Sequence, residues 1–472
     1  MRLQLAATAA RAAGALSRRT GRGGTSLPGK VLLRLEPRAI GEQAGRLGRG
    51  SAVISATNGK TTTAAMVAAI LERGGHRLVL NRAGANMAGG VASALLQGRG
   101  DTGLFEVDEF WLDRVVPQIR PRAILLSNLF RDQLDRYGEL ETIVERWEAV
   151  TAAFPGSLVL NADDPAIAGL GGVRPLSTTD RLRKGSDPGV PRSGEVPGTS
   201  PVLFFGVEDD GVALPGLPHA TDAKHCRRCG APYVYETVFL GHLGRYRCPN
   251  GDSERPAPQV AAHHVTLEGV RSATFELRTP AGVADVRLPL PGLYNVYNAL
   301  GAAALALTLG APLADVVAGL EAVSPAFGRA ETVTVGGREL SILLVKNPAG
   351  ANEVIRTLAL EPGEHDLLGV LNDRTADGRD VSWVWDADFE LLAPRVRRIV
   401  CSGTRAEELA VRFKYADVEA AKLEIVPDLD RALDAAVAGG DGPLYAIPTY
   451  TAMLELRERL VRRGAAESSW TR

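Results

Sequence analysis

At 472 residues the chain is too long for a single core, and its 45% apolar and 23% charged content marks a globular protein of two or three domains. A formal net charge of -1 argues against nucleic acid as the main partner, because such a binder needs a basic surface to displace counterions. Four cysteines, at 226, 229, 248 and 401, are too few for a disulfide scaffold, and no run of about 18 apolar residues is present to cross a membrane.

Residues 1–45 read as a basic helical segment. The start, MRLQLAATAARAAGALSRRTGRGG, is rich in Arg and Ala and lacks acids. A helix packed on the fold, a transit peptide and a basic helix on an anionic membrane surface all fit it. Residues 46–328 form the next unit. SAVIS predicts a strand, TTTAAMVAAILERGG a helix and HRLVLN a strand, and TGLFEVDE, RAILLSN and SLVLNADD repeat the strand pattern. That alternation predicts a parallel sheet with crossover helices. Residues 171–200, rich in Gly, Pro, Ser and Arg, read as a mobile insertion. A cysteine cluster occupies 224–252. The period-2 stretch VTLEGVRSATFELRTPAGVADVRLPLPG then predicts antiparallel strands, and NVYNALGAAALALTLG a helix. Residues 329–472 alternate again, with ELSILLVKN, HDLLGVLND, RRIVCSGT and GPLYAIPT as strands, and read as a smaller doubly wound α/β domain.

The strongest motif is ISATNGKTTTAAM. A strand feeds a tight turn that ends in Gly-Lys-Thr and opens a helix, so backbone amides and the helix N-terminus make an anion cradle. Asn58 and Gly59 bring the backbone to the phosphates, Lys60 reaches the terminal phosphates, and Thr61 ligates Mg²⁺, with Thr62 following in the helix. The first glycine of the general pattern is absent, since Ile54 holds its place.

The cluster HCRRCGAPYVYETVFLGHLGRYRCPNGD holds Cys226, Cys229 and Cys248. The first knuckle is complete, ending in Gly230, whereas the second has one cysteine. A structural zinc site would take its fourth ligand from Asp252, His225 or His242. A relic ribbon held by packing alone is the other reading.

The segment LNDRTADGRDVSWVWDADFE crowds acids after a strand, at the edge where open α/β sheets carry function. Asp373 and Asp377 read as turn or helix caps, and Asp386 and Asp388 as a helix N-terminus ahead of FELLAPRV. Cys401 lies at a strand end, far in sequence from any histidine but His365, so the chain shows no self-contained Cys-His pair.

The short form T-N-G-K-T-T after a strand resembles the Mur ligase and folylpolyglutamate synthase superfamily, with Ala56 where those enzymes usually carry Gly. The resemblance extends through LFEVDE, LSNLFRDQLDRYGE, LNADDP, GLYNVYNALGAA and FGRAE. It implies a central ATPase domain with an inserted cysteine ribbon, ATP and Mg²⁺ as cofactors, Glu106 as a second Mg²⁺ ligand, Asn298 on adenine and Arg329 near the phosphates. Gln133 stands where amino-acid-adding ligases commonly show histidine. The C-terminal stretches VKNPAGANEVI, LNDRTADGRDVSWVWDADFE, SGTRAEELAVR and AIPTYTAM resemble the MurT family of lipid II isoglutaminyl synthase subunits. That resemblance implies amidation of the α-carboxylate of D-glutamate in lipid II to D-isoglutamine through an acyl phosphate. It also implies ammonia from a partner glutaminase, GatD, whose Cys and His are completed by Asp380. Work at the inner face of the cell membrane follows, in the cytoplasm. In this family the ribbon normally carries four cysteines; here Asn250 or Gly251 stands in the fourth place. Lys346 and Asn347 either shape an ammonia exit, bind a carboxylate or serve the loop alone. A stand-alone amino-acid ligase and a nucleotide-gated zinc-ribbon adaptor are the competing readings.

Overall fold

Strand residues alternate between two faces, so a chain that covers both faces of a parallel sheet must write its strands as nearly continuous apolar runs. The computed structural model, which describes residues 2–19, 26–81, 84–132, 140–172, 201–219, 221–324 and 331–466, realises this twice. Three helices come first: α1 (Arg2–Arg19), α2 (Leu27–Leu35) and α3 (Ala39–Ala44). Then follow β1 (Ser51–Ser55), α4 (Lys60–Arg73), β2 (Leu78–Leu80), α5 (Ala88–Gln97), β3 (Thr102–Glu106), α6 (Leu112–Ile119) and β4 (Ala123–Leu126). After these come α7 (Leu140–Ala152), β5 (Ser157–Asn161), α8 (Pro165–Gly169) and β6 (Val202–Val207). A separate hairpin, β7 (Val234–Leu240) with β8 (Leu243–Arg247), carries the cysteine cluster at its open end.

The meander β9 (Val260–Glu268), β10 (Ser272–Thr279) and β11 (Gly282–Leu288) joins the first sheet, whose order is β11-β10-β9-β6-β5-β4-β1-β3-β2. Pairing is parallel from β2 to β9 and antiparallel across the meander. In β1, Ala52 and Ile54 enter one core with α4, α9 (Leu293–Thr308) and α10 (Leu313–Glu321), while Val53 enters the other with α1–α3 and α5–α7. α9 is buried along most of its length, and its Ala and Gly residues let it lie close on the sheet.

The second sheet has the order β12-β13-β17-β14-β15-β16. Its elements are β12 (Glu331–Val335), β13 (Arg338–Ile342), α11 (Pro348–Ala359), β14 (His365–Val370), β15 (Val396–Ser402), α12 (Ala406–Tyr415), β16 (Leu423–Ile425), α13 (Leu429–Ala438), β17 (Leu444–Pro448) and α14 (Tyr450–Arg462). All pairs but β12–β13 are parallel, and an apolar core lies on each face, the doubly wound arrangement expected from the alternation. One expectation fails. FELLAPRV is not an α-helix: Phe389–Leu391 and Ala393–Arg395 are two 3₁₀ turns, and Pro394 supplies no N–H to continue them. Asp388 does not cap the first turn with its side chain; the carboxylate accepts from Asn352 Nδ2 at 2.8 Å.

Candidate active site

In the first sheet the strand order reverses between β1 and β4, and the crevice outside such a switch point is where open α/β sheets bind ligands. The turn Ala56–Gly59 leaves β1 here. Gly59 has φ +85°, and a Cβ placed on it would stand 2.0 Å from Asn298 Oδ1, so only glycine suits the position. Its carbonyl accepts from Thr63 N at 2.9 Å, which starts α4. The turn is tied to the loop after β4. Asn58 N donates to Asn128 Oδ1 at 2.9 Å, Asn128 Nδ2 donates back to Asn58 O at 3.1 Å, and Thr57 Oγ1 accepts from Phe130 N at 3.0 Å.

Lys60 and Thr61, the first residues of α4, meet carboxylates that β3 and its following turn deliver. Lys60 Nζ pairs with Glu109 Oε2 at 2.8 Å and donates to the Ala56 carbonyl. Burial pulls this ammonium down, but Glu109, with Asp108 and Asp132 beyond it, more than offsets that, and its pKa stands above the ordinary lysine value. Thr61 Oγ1 donates to Glu106 Oε2 at 3.0 Å, and Thr62 is buried behind it. A hydroxyl and a buried carboxylate converging at a helix N-terminus beside a phosphate turn are the oxygen donors that Mg²⁺ takes alongside phosphates. The Glu106 backbone is fixed in turn by Asn81, which accepts from its N–H at 2.9 Å and donates to its carbonyl at 2.8 Å.

Asn298 stands in α9 behind the turn. Its amide is buried, accepting from Thr63 Oγ1 at 3.3 Å and donating to Asn295 Oδ1 at 3.1 Å. Through Thr63 it braces the first turn of α4 from behind. Arg329 and Gln133 lie outside the described residues, as do 173–200 of the insertion.

The second sheet closes on the same turn. Lys346, after β13, donates to Thr57 O at 3.1 Å and pairs with Asp132, whose carboxyl burial pushes up against the pull of that ammonium. Asn58 Nδ2 donates to Asn347 Oδ1 at 3.2 Å and Asn347 Nδ2 to Asn58 Oδ1 at 3.1 Å, a reciprocal amide pair. Asn347 also caps α11, accepting from Gly350 N at 2.9 Å.

Asp380 is apart from this cluster, on the surface between β14 and β15. Its Oδ1 accepts from Ser382 N at 2.8 Å, and the Ser382 hydroxyl and amide hold its carboxyl below the usual aspartate range. Asp373 binds the Thr404 hydroxyl and Arg405, and Asp377 accepts from Thr451 N at 2.7 Å at the start of α14. Cys401 is buried in β15 and its thiol is pushed up to about 12 by desolvation, so it is no nucleophile.

At the hairpin, Cys226, Cys229, Cys248 and Asp252 bring one ligand atom each within 4.8 Å of one another. Two turns build the group: Gly230 N donates to Cys226 O at 2.8 Å and Gly251 N to Cys248 O at 3.0 Å, with φ of +73° and +77° at the two glycines. Three thiols and a carboxylate on paired knuckles are a donor set that suits tetrahedral zinc. Neither histidine belongs to this group of four. His242 instead sits at the hairpin's closed end, buried 3.3 Å from Asp164.

Three residues that position the turn or Glu106 lie outside any local motif: Asn81, Asn128 and, in its role, Asn347. A signal for them was present. LVLN, LLSN and LLVKN each end an apolar strand run in asparagine, as do LVLN at 161 and LLGVLN at 372.

The Mur ligase middle domain model matches residues 54–176, and the MurT ligase C-terminal model matches 344–453. Over 453 residues the chain is 32% identical to the MurT subunit of lipid II isoglutaminyl synthase (glutamine-hydrolyzing) from Streptococcus pneumoniae, covering 94% of each chain. Over 457 residues it is 30% identical to the subunit of the same name from Staphylococcus aureus strain COL, covering 94% of this chain and 95% of that one. Among solved structures, a pseudomurein peptide ligase type C from Methanothermus fervidus superposes with a TM-score of 0.63 at 22% identity, over 88% of this chain and 79% of that one. A MurF from Acinetobacter baumannii gives 0.62 at 20% identity, over 92% and 81%.

Proposed function

We propose, from the premise that this chain belongs to the family of lipid II isoglutaminyl synthase MurT subunits, that it is the ATP-dependent, amide-forming half of such a synthase. On this reading residues 46–328 are the ATP-binding body, 329–472 the C-terminal Rossmann-like body and 1–45 a basic helical segment. The observation that carries it is the convergence of Lys60, Thr61 and Glu106 on one phosphate turn.

The chemistry follows from the need to activate a poor acylating group. A carboxylate oxygen of D-glutamate in the lipid II stem bonds to the γ-phosphorus of ATP as the bond from that phosphorus to the β–γ bridging oxygen breaks, releasing ADP. Ammonia then attacks the acyl carbon of the acyl phosphate. The C–O bond to phosphate breaks, nitrogen loses a proton, and D-isoglutamine remains. Negative charge spreads over the transferring phosphoryl oxygens, and fixed donors stabilise it without reorganisation. Lys60 supplies one positive charge, exchanging Glu109 for phosphate oxygens, and the amides from Asn58 to Thr62 supply the cradle. Thr61 and Glu106 would hold Mg²⁺, which would supply further positive charge to the phosphates. Asn298, assigned to adenine by the resemblance, also holds Thr63 behind the turn, and the same resemblance assigns Arg329 to the phosphates.

Asp380 serves a different subunit. A glutaminase nucleophile needs a histidine base held by a carboxylate. Asp380 is exposed and its pKa is lowered, so it offers a charged oxygen to the imidazole of a partner amidotransferase of the GatD kind.

Two substitutions test this in the complex with that amidotransferase. Asp380→Asn is expected to lower glutamine-driven amidation by about a hundredfold or more while leaving amidation from ammonium chloride intact. Equal loss with both nitrogen sources removes Asp380 from the glutaminase. Lys60→Ala is expected to cost at least about a hundredfold in amidation from either source, with subunit binding unchanged by gel filtration. Amidation that persists in Lys60→Ala overturns the ATP assignment, and addition of an amino acid without any partner would make the chain a stand-alone ligase.

A further inference from the structure

The formal charge of -1 hides a strong asymmetry: residues 1–49 hold ten Lys or Arg against two Glu, leaving 44 against 53 in the rest. No Asp or Glu occurs before Glu36. The helices of this segment also divide their faces. In α1, Ala6, Ala7, Ala10, Gly14 and Ser17 are buried, and α1 lies on α2, with Arg11 reaching the Leu96 carbonyl at the end of α5. The opposite side carries Leu5, Ala9, Ala12 and Leu16, spaced four, three and four, so they form one outward stripe. Leu5 is 67% exposed and Leu16 65%. Arg2 is exposed near this stripe, whereas Arg11 is turned toward α5, and the neighbouring α2 adds exposed Lys30, Arg34 and Leu35.

An apolar stripe with exposed cations on its own and the next helix, neither helix carrying an acid, is a poor match for a neutral protein surface and a good one for lipid headgroups over acyl chains. The geometry points to a docking face for an anionic phospholipid bilayer, made by the outward sides of α1 and α2. The inference rests on the proposed reading in one respect, that the substrate is lipid-linked. The face is well placed for that substrate. α2 packs on α5, Gly29 N donating to Ser93 Oγ at 2.8 Å, and the turn before α5 is held by the same Asn81 that fixes Glu106. The helical tier that would touch lipid therefore adjoins the strand end bearing the Mg²⁺ carboxylate.

The test is co-sedimentation of the complete chain with vesicles of phosphatidylglycerol and, separately, of phosphatidylcholine. Binding is expected to the first, to fall steeply with added salt, and to be absent from the second. Leu5→Asp with Leu16→Asp, both outward positions, is expected to weaken binding at least about tenfold. Wild-type protein left in the supernatant with phosphatidylglycerol overturns the proposal, and so does a double variant that sediments like wild type. Should the variant instead convert a wild-type dimer to a monomer in light scattering, the face is a contact between copies and the proposal falls. Amidation of a soluble stem-peptide substrate, expected to be unchanged in the double variant, reads the catalytic assignment separately. Its loss in the wild type would sink that assignment and leave the vesicle result standing.

Discussion

Gly59 adopts a left-handed backbone with Asn298 packed where a side chain would begin, so two costs fall on any replacement. The conformation alone disfavours an L-residue by about 1–2 kcal/mol, and the 2.0 Å approach forces Asn298 off Thr63. Gly59→Ala is therefore expected to lower the melting temperature by several degrees in calorimetry and to weaken binding of a non-hydrolysable ATP analogue about tenfold. Titration at wild-type affinity would show that the turn tolerates a methyl group. The strand, turn and helix around Gly59, Lys60 and Thr61 were legible in the sequence because their spacing is local. Asn81 and Asn128 were not, since what an asparagine bonds to depends on which strands become neighbours. The strand-end asparagines announced polar ends without naming their partners.

Between β7 and β8 the hairpin does two jobs. Its closed end drives His242 against Asp164 in the body, and its open end gathers three thiols and Asp252. We expect one zinc per chain by metal analysis of purified protein, and loss of most of it in Asp252→Ala with retention in Asp252→Cys. Stripping with a chelator is expected to speed hydrogen exchange along the hairpin while leaving nucleotide affinity unaltered. Metal-free protein with a protected hairpin would instead make the ribbon a packed relic. The first knuckle was readable from Cys226, Cys229 and Gly230. The second was readable only as a choice among Asp252, His225 and His242, because its ligand comes one residue beyond the usual place and the turn at Gly251 brings it in. Helix length was overread at FELLAPRV for a similar reason. Its apolar spacing suits a helix, but Asp388 is drawn to Asn352 and Pro394 stops the ladder, leaving two short turns.

The two parallel sheets followed from alternation of apolar runs and helical stretches, and their order along the chain from a resemblance spread over many short motifs. Their mutual grip did not. Nothing in VKNPAG says that Lys346 and Asn347 will hold Thr57 and Asn58, nearly 300 residues earlier, because that meeting is decided by how two finished bodies dock. Its outcome has a mechanical side. The turn after β1 is anchored at Asn128 by its own sheet and at Asn347 by the other. Any rotation of the second sheet against the first would therefore pull on Asn58 through this amide pair.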